Sequence, residues 1–350
     1  MVPLIGPATA AIARYDGVLQ GIPNTQVLLS PLTSQEAVLS SKIEGTLATL
    51  GEVLEFEASE ESSFSEKRDD IYEVLNYRSS LRLAVLRLEQ GMPLSQGLVK
   101  ETHAVLMQGV RGSTKRPGHY RHLQNLIGSP GDDENTARFV PPQPVHVDGL
   151  MANWEEYLNG DAKDRLIQLA VVHAEFEAIH PFLDGNGRTG RLLIPLFLMA
   201  KKLLSSPSFF VSGYLEANRD EYCERLLRVS TADDWTGWCE FFLKALTVQA
   251  KDNESKARRI LDLYSLKKDW ITNLTHSQYC IRALDWFFDR PIFSASDFAK
   301  SSGIPKPTAK RIVRLAIDGG LLKVLRPSRG TIPAILSFWE LLQIAEGQDA

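Results

Sequence analysis

Cysteine is scarce in this chain of 350 residues: there are three, Cys223, Cys239 and Cys280, and they lie far apart. No Cys-x-x-Cys pair occurs, so the sequence predicts neither a zinc site nor a disulfide framework, which suits a reducing cytoplasm. Long apolar runs are missing too, because the strongest, at 192–200, is far too short to span a bilayer. With no leader pattern at the N-terminus, we expect a cytoplasmic protein without membrane contact.

Strand-like alternation is also sparse, which predicts a mainly α protein. Hydrophobic residues make up 44% of the chain, enough for a large core and about two domains. Charge is uneven: the whole chain has 39 basic and 43 acidic residues, yet 300–330 contains eight Lys or Arg against the single acid Asp318. This basic segment predicts a surface that binds an acidic partner.

One segment, 180–191, reads HPFLDGNGRTGR and concentrates polar chemistry that a buried core does not need. Apolar residues recur every three or four positions in 164–179, which predicts a buried helix before it. The apolar run after it predicts a second helix, which we expect Pro195 to kink. The Gly-Asn-Gly turn therefore begins a helix, where unpaired N–H groups and the helix dipole favour a bound phosphate.

Roles in this segment follow from chemical type. His180 titrates near neutrality and is a candidate general base for a hydroxyl. Asp184 offers the hard oxygen that Mg²⁺ prefers. Arg188 and Arg191 lie three residues apart, so we expect both to project from one side of the second helix and hold phosphates.

Two other interpretations of the same letters fail on context. The glycines at 185, 187 and 190 match a dinucleotide-binding fingerprint, but no strand precedes them and no acid follows about twenty residues on. His173 and His180 are seven apart, which is not the spacing of a zinc-binding helix. We expect His173 to be a core histidine.

The segment matches at every defined position the signature His-Pro-Phe-x-Asp/Glu-Gly-Asn-Gly-Arg-x-x-Arg, and from about 27 to 246 the chain resembles the Fic-domain proteins. The resemblance implies a Fic-type helical bundle with a small β flap. It also implies transfer of AMP from ATP to a Ser, Thr or Tyr hydroxyl of a target protein, or of the protein itself, with pyrophosphate released. Related enzymes that phosphorylate instead usually lack the glycine found here at 187.

By the same resemblance His180 is the base and Asp184 carries Mg²⁺. Nucleotide phosphates would be held by the rest of the motif, namely Gly185, Asn186, Gly187, Arg188, Thr189, Gly190 and Arg191. Relatives often self-associate, so a homodimer is expected.

An N-terminal segment adds a regulatory expectation. The letters TSQE at 33–36 have the form of a capping box, which predicts a three-turn helix over about 33–45. Its end, from Ser40 through Glu44 to Gly45, resembles the Fic inhibitory motif. That resemblance implies that Glu44 pairs with Arg191 and blocks the γ-phosphate position. The alternative is a capped surface helix whose glutamate is solvated.

Two further segments are family-like. Residues 136–145, TARFVPPQPV, predict an extended edge at Phe139 and Val140; it is either the flap that pairs with a target backbone or an ordinary proline-rich loop. Residues 212–222 resemble the segment that encloses adenine, where Tyr214 or Tyr222 is either a wall for the base or part of the core. Cys223 stands where relatives often have tyrosine, which leaves base recognition less determined.

The C-terminal part predicts a winged helix-turn-helix. Helices are expected at 281–288, from 295 and at 307–317, with a hairpin wing formed by 319–325 and 330–336. We divide the chain into a Fic domain (1–250), a linker or linker helix (251–267) and a winged-helix domain (268–350). Basic side chains on the third helix predict contact with DNA phosphates, although such a frame also binds proteins.

Alternatives to adenylyl transfer therefore remain open. One is a DNA-binding regulator whose Fic domain senses a nucleotide. Another is a Fic enzyme that uses a different nucleotide or removes AMP.

Overall fold

A computed structural model describes residues 1–59, 67–128, 131–330 and 332–347. The expected domains 1–250 and 268–350 therefore include a few residues outside the described ranges. Helices dominate, as the sequence predicts. Those before the motif are α1 (Val2–Gln20), α2 (Thr25–Leu28), α3 (Ser30–Ile43), α4 (Leu50–Ser59), α5 (Arg68–Glu89), α6 (Gln96–Leu106) and α7 (Val147–Asn159).

Two helices carry the motif between them, α8 (Arg165–Ile179) and α9 (Asn186–Ala200). The side chain of Asp164 begins α8 by accepting hydrogen bonds from the backbone N–H groups of Leu166 and Ile167, both at 2.9 Å. Pro195 lies inside α9, and the helix continues through it. Both helices are mostly buried and pack on each other at the centre of the fold.

The segment that resembles the inhibitory motif forms α3, but the predicted start is wrong. The helix begins at Ser30 with a proline in its first turn, and Thr33 lies inside it with its hydroxyl bonded to the carbonyl of Leu29. A proline there has no N–H to leave unsatisfied, so it can begin a helix one turn before the capping box. The end is as predicted, because Gly45 adopts φ 96° and Thr46 N–H reaches back to Ser41 O.

After the motif come α10 (Ser212–Ala217), α11 (Arg219–Ala232) and the 41-residue α12 (Trp235–Thr275). Residues 251–267, expected to be a linker or linker helix, lie inside α12. Helix α12 packs against α1, α8 and α11 and also against the C-terminal helices α13, α15 and α16. One continuous helix of roughly 60 Å thus connects the two regions.

The C-terminal region has helices α13 (Cys280–Asp289), α14 (Ala295–Ser301), α15 (Lys306–Asp318) and α16 (Trp339–Glu346). Its strands are β1 (Ile292–Ser294), β2 (Lys323–Arg326) and β3 (Ile335–Ser337), in the antiparallel order β1-β3-β2. This order of elements is compatible with a winged helix-turn-helix; Thr331 of the expected wing lies outside the described residues. The region is not a separate lobe, because α13 and α16 pack on α3 and β1 packs on α4.

No helix within the described ranges is long and apolar enough to cross a membrane.

Candidate functional site

His180 ends α8 in a left-handed conformation, with φ 50° and ψ 60°. A histidine there is uncommon, and the surroundings fix it: its N–H donates to Phe176 O, and Arg121 Nε donates to its carbonyl at 2.9 Å. Its Nδ1 lies 3.3 Å from the carbonyl of Glu177. A carbonyl oxygen can only accept a hydrogen bond, so Nδ1 carries the proton and Nε2 carries the lone pair.

The electrostatic environment keeps this imidazole neutral. Burial lowers the pKa of His180 to about 4, although the nearby carboxylates of Glu44 and Asp184 raise it in part. A neutral imidazole with a free Nε2 accepts a proton, as general-base catalysis requires.

The turn after His180 is held by the side chain of Asn186. Its amide oxygen accepts the N–H of Phe182 at 2.8 Å and its amide nitrogen donates to the carbonyl of the same residue at 2.8 Å. The side chain of Asn186 thus closes the turn, while its predicted role in holding phosphate stays a prediction. What Asn186 presents to an anion is its backbone N–H in the first turn of α9.

Gly185 precedes that first turn with φ 76°, and a Cβ on it would overlap the sulfur of Met107. The hydroxyl of Thr189 bonds to Gly185 O at 2.8 Å, and Gly190 packs against Phe176 and Glu177. Thr189 and Gly190 thus support the loop and do not line the cavity above it.

That cavity has a volume of about 450 Å³. It brings together the catalytic, metal-binding, anion-binding and inhibitory candidates of the sequence on one surface. Its lining residues are Glu44, Lys115, Gln124, Asn125, Leu126, His180, Leu183, Asp184, Gly185, Asn186 and Gly187.

Asp184 is paired with a lysine that the sequence did not single out. Its Oδ2 lies 2.9 Å from Lys115 Nζ, and its Oδ1 accepts the N–H of Gly185 at 2.7 Å. The described residues contain no group of three or more His, Cys, Asp or Glu side chains that could hold a metal. One carboxylate suits a Mg²⁺ that arrives with nucleotide phosphates, because Mg²⁺ takes one or two carboxylates and completes its shell with phosphate and water.

Arg191 is bound to the N-terminal helix. Its side chain is 1% exposed, and its Nη2 lies 2.7 Å from Glu44 Oε1 and 2.8 Å from Ser40 O. Arg191 Nε also donates to Ser40 Oγ at 2.9 Å. Burial alone would raise the pKa of Glu44, yet the charge and hydrogen bond of Arg191 hold that pKa below its ordinary value. Glu44 is thus a charged partner of Arg191 and is not simply a solvated glutamate.

Gly187 makes this arrangement possible. A Cβ at this position would overlap Glu44 Oε1 and lie 2.9 Å from Arg191 Nη1. The absence of a side chain therefore leaves the space that the Glu44 carboxylate fills directly above the first turn of α9.

Arg188 and Arg191 pair with different acids, so their joint contact with phosphates stays a prediction. The side chain of Arg188 is buried, with Nη1 3.3 Å from Glu73 Oε2. Glu73 also accepts from Arg111 Nε at 3.0 Å and from Thr46 Oγ1 at 2.7 Å. The helix period alone gives the two arginines neighbouring faces, but each one is taken by a different acid.

The two tyrosines of the adenine segment have different surroundings. Tyr222 is buried, its hydroxyl lies 2.8 Å from His173 Nε2, and its ring packs against Trp238 and Phe241. Of the two alternatives for Tyr222, these contacts favour a place in the core. Tyr214 is partly exposed and packs on Phe241. Neither tyrosine lines the cavity above the motif.

The flap segment forms one short antiparallel bridge, in which Ile127 and Phe139 exchange backbone hydrogen bonds of 2.9 and 3.0 Å. Neighbouring residues along a strand direct their backbone N–H and C=O groups to opposite edges. Val140, which follows Phe139, therefore directs its N–H and C=O to the edge opposite Ile127.

The sequence missed several residues that position the site. His103 stacks on Phe182 and bonds to Asp184 O at 2.8 Å, and burial lowers its pKa to about 4. Asn125 Nδ2 donates to Phe182 O at 2.7 Å. The segments 116–121 and 124–128 resemble loops of the Fic-domain proteins, and this resemblance is the sequence signal for Arg121 and Asn125. No sequence pattern singles out Lys115 or Glu73.

Comparisons with known proteins agree with this geometry. The Fic/DOC family N-terminal model matches residues 2–86, and the Fic/DOC family model matches residues 93–198. A protein named adenylyltransferase Fic from Drosophila grimshawi is 28% identical over 160 residues, covering 45% of this chain and 31% of that protein. A probable protein adenylyltransferase of Aquifex aeolicus is 34% identical over 85 residues, covering 24% of this chain and 27% of that protein.

The chain thus spans about a third of the length of these relatives. Among solved structures, a Fic family protein from Desulfovibrio desulfuricans covers 95% of both chains at 20% identity, with a TM-score of 0.55. A structure of Fic-1 from C. elegans matches at 21% identity and a TM-score of 0.55, and the match covers 73% of this chain and 71% of the Fic-1 chain. These structures establish the fold, and the two family models together match more than half of the residues. The chain belongs to the Fic/DOC family.

Proposed function

We propose that this protein is an adenylyltransferase that moves AMP from ATP to a hydroxyl side chain of a protein. The observation that carries the proposal is that one cavity holds both a neutral imidazole, whose Nε2 has no hydrogen-bond partner among the described residues, and the first turn of α9 with its backbone N–H groups. The names of the relatives point to the same activity.

Residues of this chain can accept the proton of the target hydroxyl and stabilise the negative charge on the phosphates. A target hydroxyl oxygen attacks the α-phosphorus of ATP, the bond to the β-phosphate oxygen breaks, and pyrophosphate leaves. His180 Nε2 takes the hydroxyl proton as the new phosphorus–oxygen bond forms. The backbone N–H groups of 186 and 187 face the oxygens on which negative charge is held. A Mg²⁺ on Asp184 would supply further neutralisation of the phosphates.

We also propose that Glu44 inhibits the enzyme. Its carboxylate lies on Gly187 and is bonded to Arg191, so it fills with negative charge the place where outer phosphates would meet that arginine. ATP then binds productively only after Glu44 moves away.

The test is transfer of label from α-phosphate-labelled ATP to protein, with and without a cell lysate. We expect Glu44→Gly to label itself and target proteins strongly, and His180→Ala in the same background to label neither. Glu89→Gly is the matched control, because Glu89 is an exposed glutamate at the end of α5 with no ion pair among the described residues. Equal labelling by the wild type and Glu44→Gly would remove the inhibitory role, and label in His180→Ala would remove the base.

Nucleotide choice and reversal need separate measurements. Unlabelled GTP, CTP and UTP should compete weakly with labelled ATP if adenine is recognised. A modified protein that loses its AMP on incubation with wild type would reveal the reverse reaction. The homodimer expected from the resemblance stays a prediction.

A second function is favoured by the surface of α15. Lys306, Lys310, Arg311 and Arg314 are exposed, and none of them forms an ion pair within the part of the chain that the structure describes. Such a row on the third helix of a winged helix-turn-helix suits DNA phosphates. Lys310→Ala with Arg314→Ala should weaken duplex binding and reduce the salt dependence by about two charges. Binding that does not respond to salt would count against this function.

A further inference from the structure

A groove of about 310 Å³ lies between the flap, α7, α8 and α11. Val140 and Pro142 form one wall, Leu150 and Ile179 another, and Glu175 is the one ionisable group among its lining residues. Its volume is at the lower end of the range for ligand pockets, about 300–1,000 Å³, so it suits one long side chain better than a nucleotide.

Glu175 has no partner among the residues that the structure describes. Among the described residues, no basic side chain forms an ion pair with it and no donor bonds to it. Burial against the apolar walls raises the pKa of this carboxyl. A carboxylate that is partly removed from water and left without a cation is costly, and an incoming cation would reduce that cost.

These properties select the occupant. A purely apolar side chain would cover Glu175 and desolvate it further, and an acidic one would be repelled. A lysine or arginine satisfies both features, because its methylene stem packs on apolar walls while its charged end pairs with the carboxylate.

The groove is also held in register with the catalytic residue. Arg121 is 3% exposed and bonds at once to the carbonyls of Pro142, Ile179 and His180, the last at 2.9 Å. Pro142 and Ile179 are walls of the groove, so a side chain seated there is fixed relative to the imidazole. The free edge at Val140 adjoins the same wall and would align an extended target segment.

We infer that this groove selects target segments carrying a lysine or arginine at a fixed position from the modified hydroxyl, with Glu175 as the specificity-determining residue. The inference rests on the proposed function, since it names the class of target segment for the same site.

The experiment measures peptide binding and transfer separately. Fluorescein-labelled extended peptides contain a central tyrosine and one lysine placed at each flanking position in turn, and matched peptides carry norleucine there. Fluorescence anisotropy with the full chain gives binding without any chemistry. At one position we expect lysine to be favoured about fivefold over norleucine, the size of a modest ion pair.

Variants decide the role of Glu175. Glu175→Gln should remove the preference for lysine, and Glu175→Lys should replace it by a preference for glutamate at the same position. Glu156→Gln, on an exposed residue of α7, should keep it. A lysine preference at no position, or one that survives Glu175→Gln, would overturn the inference.

The transferase is checked independently. Self-labelling of Glu44→Gly should persist when Glu175→Gln is added, since the groove does not touch ATP. If label is absent in both proteins the proposed function fails, while the anisotropy data still decide the groove.

Discussion

Replacing Glu44 by glycine should tighten the binding of Mg·ATP. In the free protein Glu44 Oε1 holds Arg191 Nη2 at 2.7 Å, so outer phosphates must first separate this pair. The side chain of Arg191 is 1% exposed and that of Glu44 is 41% exposed, so the pair is intermediate between an exposed and a fully buried ion pair. Exposed pairs contribute up to about 1 kcal/mol, and breaking fully buried pairs costs about 3–5 kcal/mol.

An intermediate value of about 1–2 kcal/mol corresponds to a factor of about 5–30 in affinity. Isothermal titration with an ATP analogue whose α- and β-phosphates are joined by a methylene group measures this without turnover. The gain should be absent for AMP, which has no outer phosphates, and absent in the Glu89→Gly control. Equal affinities of wild type and Glu44→Gly for the analogue, or an equal gain for AMP, would refute the reasoning.

Three further outcomes are expected. Burial lowers the pKa of His180 to about 4. The kcat/KM of Glu44→Gly reports the ionisation of the free enzyme, so it should stay level from pH 8 to about 5.5. A fall centred near pH 6.5 would mean that His180 has the pKa of an ordinary histidine. Lys115→Met should bind Mn²⁺ a few-fold more tightly than wild type, because the lysine no longer competes for Asp184; electron paramagnetic resonance measures the binding. The control Lys163→Met, on an exposed lysine, should bind Mn²⁺ as wild type does. Burial raises the pKa of Glu36 from 4.5 to about 7, so the unfolded chain loses this proton first, and the contribution of this one group to stability should fall by up to about 3 kcal/mol as pH rises from 4.5 to 7. The buried histidines His103, His173 and His180, whose pKa burial lowers, change the total stability in the opposite direction, so the measurement is the difference between two proteins. Urea unfolding should show Glu36→Gln gaining stability relative to wild type as pH rises from 4.5 to 7; a difference that does not change with pH would contradict the assignment to Glu36.

The sequence predicted what depends on local spacing. Helices α8 and α9 follow from apolar residues at intervals of three and four, and the turn between them follows from its glycines and the anion-binding property of a helix start. Helices α13, α14 and α15 and the hairpin of β2 with β3 were also placed to within a few residues. Short β1, between two of those helices, has no alternating pattern and was not predicted.

Contacts between distant segments explain the rest. The capping box at 33–36 was overridden because α3 begins against the C-terminal region, where Ser30 Oγ bonds to Asp289 O at 3.0 Å. Glu73 could not be predicted as the partner of Arg188, because it comes from a helix more than a hundred residues earlier. Tyr222 looks the same in sequence whether it faces a base or the core, and only packing with His173 decides.

The most direct test of the account is the fate of two differently labelled ATP molecules with the Glu44→Gly protein. ATP labelled on the α-phosphate should leave its label covalently on protein, and ATP labelled on the γ-phosphate should leave its label in pyrophosphate. Protein that gained the γ-label, or neither label, would contradict the claim that this cavity transfers AMP.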